Sequence, residues 1–178
     1  ALEQGRSMAA QQAFAFALRV EPDNEQAQHG LKRAGTLEQV MGLINTASSA
    51  ENAGELQIAL QRYKEAAELD PDMTAATEGV TRVQNRIASD RFAAAMSEAL
   101  TALSDGRPKE ARAALERARA IRPQAQEVLD GLARAAELER QQAVLEHRRE
   151  AERLESAERW KEALEEYEAA LKIDPTLA

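Results

Sequence analysis

The side chains able to do chemistry are few, and their spacing groups them poorly. Histidine occurs twice, as His29 and His147. Neither sits in a metal-binding arrangement such as His-Glu-x-x-His, so each reads as a solvated or packing residue, with metal ligation the sharper alternative. Cysteine is absent, which removes thiol nucleophiles, thiolate ligands and disulfides. Carboxylates are plentiful but interleave with arginine. In EHRREAERLESAERWKE, Glu146, Glu150 and Arg153 fall at helical spacing and read as a solvated, salt-bridged face. The glycines are isolated, so no loop is present to cradle a phosphate. We therefore expect neither catalysis nor a cofactor. One set is more suggestive: Arg33, Arg82 and Arg134 each stand eleven residues after a proline. A row of arginines suits bidentate capture of carboxylates. The plainer reading is pairing four residues back, Glu78 with Arg82 and Asp130 with Arg134. The single tryptophan, Trp160, either packs against a preceding helix or serves as a contact for a partner.

The bulk properties narrow the classes. Of 178 residues, 44% are hydrophobic but only 3% aromatic, and 30% are charged. Alanine, leucine, arginine, glutamate and glutamine dominate, all of which lose little side-chain freedom in a helix. A net charge of −8 argues against a phosphate backbone as partner. No apolar run approaches the roughly 20 residues that a membrane-spanning helix needs.

What positions the candidate residues is a repeat. Residues 54–71 read GELQIALQRYKEAAELDP, and residues 158–175 read ERWKEALEEYEAALKIDP. Pro22, Pro71, Pro123 and Pro175 are spaced 49, 52 and 52 residues apart. Twelve residues before each stand Ala10, Ala59, Ala111 and Ala163; eight before, Phe14, Tyr63, Leu115 and Tyr167. Five before stand Ala17, Ala66, Ala118 and Ala170; two before, Val20, Leu69, Ile121 and Ile173. Separations of three and four put all of them on one helix face, where alanine admits a close neighbour. Proline ends the element. Gly5, Gly54, Gly106 and Glu158, seventeen residues before each proline, open it.

Eight residues after Pro22, Pro71 and Pro123 come Gly30, Gly79 and Gly131, each followed by an aliphatic, which suits a close approach of helices. Residues 126–156 contain one glycine near their start and no proline, so they read as a single helix. The expected pattern is short helices of about 15 residues alternating with long ones of about 30. The first long arm carries Gly30, Gly35 and Gly42, and we expect a bend or break near Gly35-Thr36. A three-helix unit is the alternative, with a hinge at residues 85–91 and Ser89-Asp90 as an N-cap. The units are 5–53, 54–105 and 106–157, with a partial unit at 158–178. The pattern breaks off at both ends, so a fragment of a longer protein is expected.

The short element resembles the second helix of the tetratricopeptide repeat, on Gly54-x4-Ala59-x3-Tyr63-x2-Ala66-x2-Leu69-x-Pro71 and its three copies. A standard unit has about 34 residues, so each unit here is elongated. Glu158 for glycine, Leu115 for the aromatic and Arg122 before Pro123 are departures. The resemblance implies an all-α, right-handed solenoid of antiparallel helical hairpins. It also implies a scaffold that presents a groove to a protein or peptide partner, with Arg33, Arg82, Arg134 and Asn85 on the groove wall. Two other roles stay open. One is self-association through exposed terminal faces, with Leu164 and Tyr167 on the last. The other is a coiled-coil-like spacer using a stripe of Val144, Ala151 and Leu154. Alanine and arginine usage leads us to expect a bacterial source, and the cell envelope, the periplasm, is expected over cytoplasm.

Overall fold

The computed structural model describes residues 7–177, which form seven α-helices and no strand. They are α1 (Ser7–Val20), α2 (Glu25–Asn52), α3 (Leu56–Leu69), α4 (Thr74–Ser104), α5 (Pro108–Ile121), α6 (Gln126–Ser156) and α7 (Trp160–Ile173). A 3-10 turn, Pro175–Leu177, follows. Short helices of 14 residues alternate with long ones of 28, 31 and 31. The repeat glycine Gly5 lies outside the described residues. The chain divides into two compact units, one ending at Ala88 and the other starting at Ser89, and the division falls within α4.

Two expectations about the long arms are corrected. Helix α2 runs uninterrupted through Gly35 and Gly42. A glycine costs a helix about 1 kcal/mol. Against this, α2 buries Ala27, Ala34, Leu37, Val40, Ala47 and Ala50 along its length. Ser89 and Asp90 lie inside α4, both exposed, so they cap nothing and the three-helix unit is not formed.

Local chemistry sets the helix ends. Asn24 caps α2, its Oδ1 accepting from the Ala27 amide at 2.9 Å. Pro108 starts α5, where its missing N–H is no loss. The three long helices end in one way. After α2, Gly54 N–H donates to Glu51 C=O (3.1 Å) and Glu55 N–H to Ala50 C=O (2.9 Å). Gly106 and Arg107 do the same to Leu103 and Ala102, and Glu158 and Arg159 to Glu155 and Leu154. This closure needs a left-handed residue. Gly54 (φ +80°), Gly106 (φ +69°) and, in the fourth copy, Glu158 (φ +57°) supply it.

Small side chains make the core. Ala10, Ala59, Ala111 and Ala163 are all buried, as are Ala66, Ala118 and Ala170. In the first unit, Tyr63 and Ala59 of α3 join Ala47 and Ala50 of α2 and Val83 of α4. In the second, Leu115 and Ala111 of α5 join Phe92 and Ala99 of α4 and Val128 and Ala135 of α6. The closest approaches fall at the glycines that follow Pro22, Pro71 and Pro123. A Cβ on Gly79 would fall 2.5 Å from the Tyr63 ring, and one on Gly131 would fall 2.7 Å from Leu115 Cδ2. Gly30 lies equally hard against the Phe14 ring.

Candidate functional site

In the first unit, one face of α4 opens a depression of about 540 Å³ lined by Thr77, Glu78, Thr81, Arg82 and Asn85. Arg82 and Asn85 are thus brought together on successive turns. Arg82 is not free to bind by itself. Its Nε donates to Glu51 Oε1 at 2.9 Å and its Nη2 to Glu51 Oε2 at 2.8 Å. The same Nη2 donates to the Tyr63 hydroxyl at 3.1 Å, and that hydroxyl donates to Glu51 Oε2 at 3.1 Å. The guanidinium carbon lies 5.6 Å from the Tyr63 ring centre. The cluster joins three helices, with Glu51 from the end of α2, Tyr63 from α3 and Arg82 from α4.

The titration behaviour follows. Arg82 foremost, with help from Tyr63, holds the Glu51 carboxyl below its usual range against the pull of burial. Burial first, then the Glu51 carboxylate, pushes the Tyr63 phenol up. The Arg82 guanidinium is held more firmly protonated by Glu51. The expected pairing of Arg82 with Glu78, four residues back, is replaced by this pairing across helices. A carboxylate that presents two oxygens to the guanidinium fork holds it better than one lying along the helix surface.

Arg33 is engaged too. Its Nε lies 2.9 Å from both carboxylate oxygens of Asp70, which is only 2% exposed and also accepts from the Asp72 amide at 3.2 Å. A buried carboxylate is tolerable only with such partners. Asp70 C=O meanwhile accepts from Met73 N–H at 3.0 Å, closing the Asp70-Pro71-Asp72-Met73 turn. Arg134, in the second unit, is exposed. The positions matching Glu51 and Tyr63 are Leu103 and Leu115 there, both buried, so no acid awaits it. Asp130, its expected partner, accepts from Gln126 at 2.8 Å instead.

Trp160 opens α7 and is 64% exposed, so it is not packed as the plainer reading has it. Val144, Ala151 and Leu154, the stripe required by a spacer, are buried within the second unit. His29 lies 3.4 Å from Asp72, and His147 Nδ1 lies 2.6 Å from Glu166 Oε2, which links α6 to α7. Among the described residues no helix is long and apolar enough to cross a membrane.

Glu51 is the residue that sequence reasoning missed. Its signal is the twelve-residue spacing to Tyr63, which recurs between Glu155 and Tyr167. Comparison with family models, curated proteins and solved structures gives no match.

Proposed function

We propose that this protein is a binding scaffold of tetratricopeptide-like build, in which short–long helical hairpins stack as a right-handed solenoid and present a polar groove to a protein or peptide. No bond is made or broken in this reading. The observation that carries it is the depression on α4, with Thr77, Thr81 and Asn85 at its surface. Arg82 lines the same depression, fixed by Glu51 and Tyr63. Hydroxyls and an amide on a stiff helix bind extended backbone or polar side chains at little cost in ordering. The repeat supports the same reading, because the alanine twelve residues before the proline, Ala10, Ala59, Ala111 or Ala163, is buried in every copy.

The experiment selects displayed peptides against the wild-type chain and then tests them on a Thr81→Lys plus Asn85→Lys variant. Both sites are exposed, so the fold survives. Peptides from the groove lose binding to the variant. Selected peptides that bind both chains equally would refute the groove. The Arg82→Glu change is a poor probe, since it leaves Glu51 and Tyr63 without their cation.

A further inference from the structure

At the end of the α4 depression nearest the start of the helix, the free groups are all hydrogen-bond acceptors. Thr77 and Thr81 each own one hydroxyl hydrogen. Thr77 spends it on the Thr74 C=O and Thr81 on the Thr77 C=O, both at 3.2 Å. Only their lone pairs are left for a ligand. Glu78 stands three residues before Thr81, on the same helix surface. It is exposed and has no hydrogen-bond or ion-pair partner among the described residues. Arg82, four residues on, is held by Glu51 through two bonds. Arg86, a turn further, also acts on Glu51. Thr77, Glu78 and Thr81 therefore offer three acceptors side by side.

A second depression, of about 270 Å³, borders the first and shares Thr77 with it. Its apolar lining is Ala67 of α3 and Val80 of α4, both half-buried. Lys64 and Glu68 also line it, four residues apart on α3 and opposite in charge. Both depressions belong to the first unit. The acceptor set is particular to this copy of the repeat. Thr77, Glu78 and Thr81 stand six, seven and ten residues after Pro71. The matching positions after Pro22 are Gln28, His29 and Lys32, and after Pro123 they are Leu129, Asp130 and Ala133.

We propose that the partner segment held on α4 carries a lysine and, two residues from it, an aliphatic side chain, with the ammonium on Thr77, Glu78 and Thr81 and the aliphatic group on Ala67 and Val80. An ammonium has three donors and no acceptor, which matches three acceptors and no donor. Residues two apart on an extended strand point the same way, about 7 Å from each other. That spacing suits two depressions that meet at one side chain. The net charge of −8 draws a basic segment towards the chain. This inference rests on the groove reading of α4 and adds the chemistry of the ligand to it.

The probe is a displayed library of random peptides, selected on the full chain and counter-screened on the Thr81→Lys plus Asn85→Lys variant. Synthetic peptides of the recovered sequences follow. Peptides that depend on the groove are expected to share a lysine two residues from Leu, Ile or Val. Acetylating that lysine removes its charge and should weaken binding about threefold or more on the wild-type chain. It should change nothing on a Glu78→Gln chain, an exposed and isosteric change. Replacing the aliphatic residue by serine should weaken binding about fivefold or more on both chains. A Glu78→Lys chain should select an acidic residue in place of the lysine. Groove-dependent peptides without that pair of residues overturn this inference and leave the groove standing. So does an acetylation effect that is equal on wild type and Glu78→Gln. Recovery of no groove-dependent peptide overturns both.

Discussion

Gly35 and Gly79 sit inside long helices, and replacing each by alanine separates helix propensity from close contact. The backbone gain is common to both, about 1 kcal/mol in favour of alanine. At Gly35 an added Cβ meets nothing within 4 Å. At Gly79 it meets Tyr63 ring carbons at 2.5 to 2.7 Å, against a comfortable carbon–carbon distance of roughly 3.5–4.0 Å. The ring cannot swing aside easily. It is 3% exposed, and its hydroxyl is held by Glu51 and Arg82. Overfilling a packed site costs about 1–3 kcal/mol. Gly35→Ala should therefore stabilise by about 0.5–1 kcal/mol, and Gly79→Ala should destabilise by up to about 2 kcal/mol. The propensity contribution cancels between them, so their difference reports the contact alone. Adding Tyr63→Leu to Gly79→Ala should recover part of the loss. Leucine already faces a glycine at Leu115 and Gly131, where the nearest atom is a methyl that can rotate away. The assay is urea unfolding followed by circular dichroism at 222 nm. A Gly79→Ala midpoint raised as much as that of Gly35→Ala would refute the glycine seat.

Two further outcomes follow from the turns and the Glu51–Tyr63–Arg82 cluster. Glu158 holds φ +57° where Gly54 and Gly106 stand in other copies, so Glu158→Gly should stabilise by about 1 kcal/mol. The thermal midpoint reads this, and an unchanged or lower value contradicts the turn. Arg82 foremost depresses the Glu51 pKa on folding. Its stabilisation is therefore full above the unfolded value near 4.3 and is lost as pH falls through the lower folded value. Glu51→Gln should cost roughly 1–2 kcal/mol at neutral pH and should flatten the stability profile below about pH 5. Parallel profiles for variant and wild type would sink that account.

Legibility in the sequence tracked how local each cause is. Residues 126–156 and Trp160 to Ile173 were readable as helices, because unbroken helix formers and a terminating proline act within a few residues. Burial of Ala59, Ala111 and Ala163 was readable from their matched offsets. The unbroken course of α2 was not, because glycine lowers local propensity while the burial that outweighs it comes from α1 and α3. Pairing of Arg82 with Glu51 was hidden for a similar reason, since it spans 31 positions and competes with a nearer acid, Glu78. The Asp70–Arg33 contact, 37 positions apart, is equally invisible without the turn at Pro71 that carries Asp70 inward.

Alanine provides most of the deeply buried contacts here: Ala47, Ala59, Ala66, Ala76, Ala99, Ala111 and Ala135 are all fully buried. Such a side chain gives up no rotamers when it orders, and it has nothing left to truncate. Alanine-scanning mutagenesis would pass over these positions in silence. The informative survey runs the other way, replacing each with valine or leucine, and its losses would trace the lines along which neighbouring helices touch.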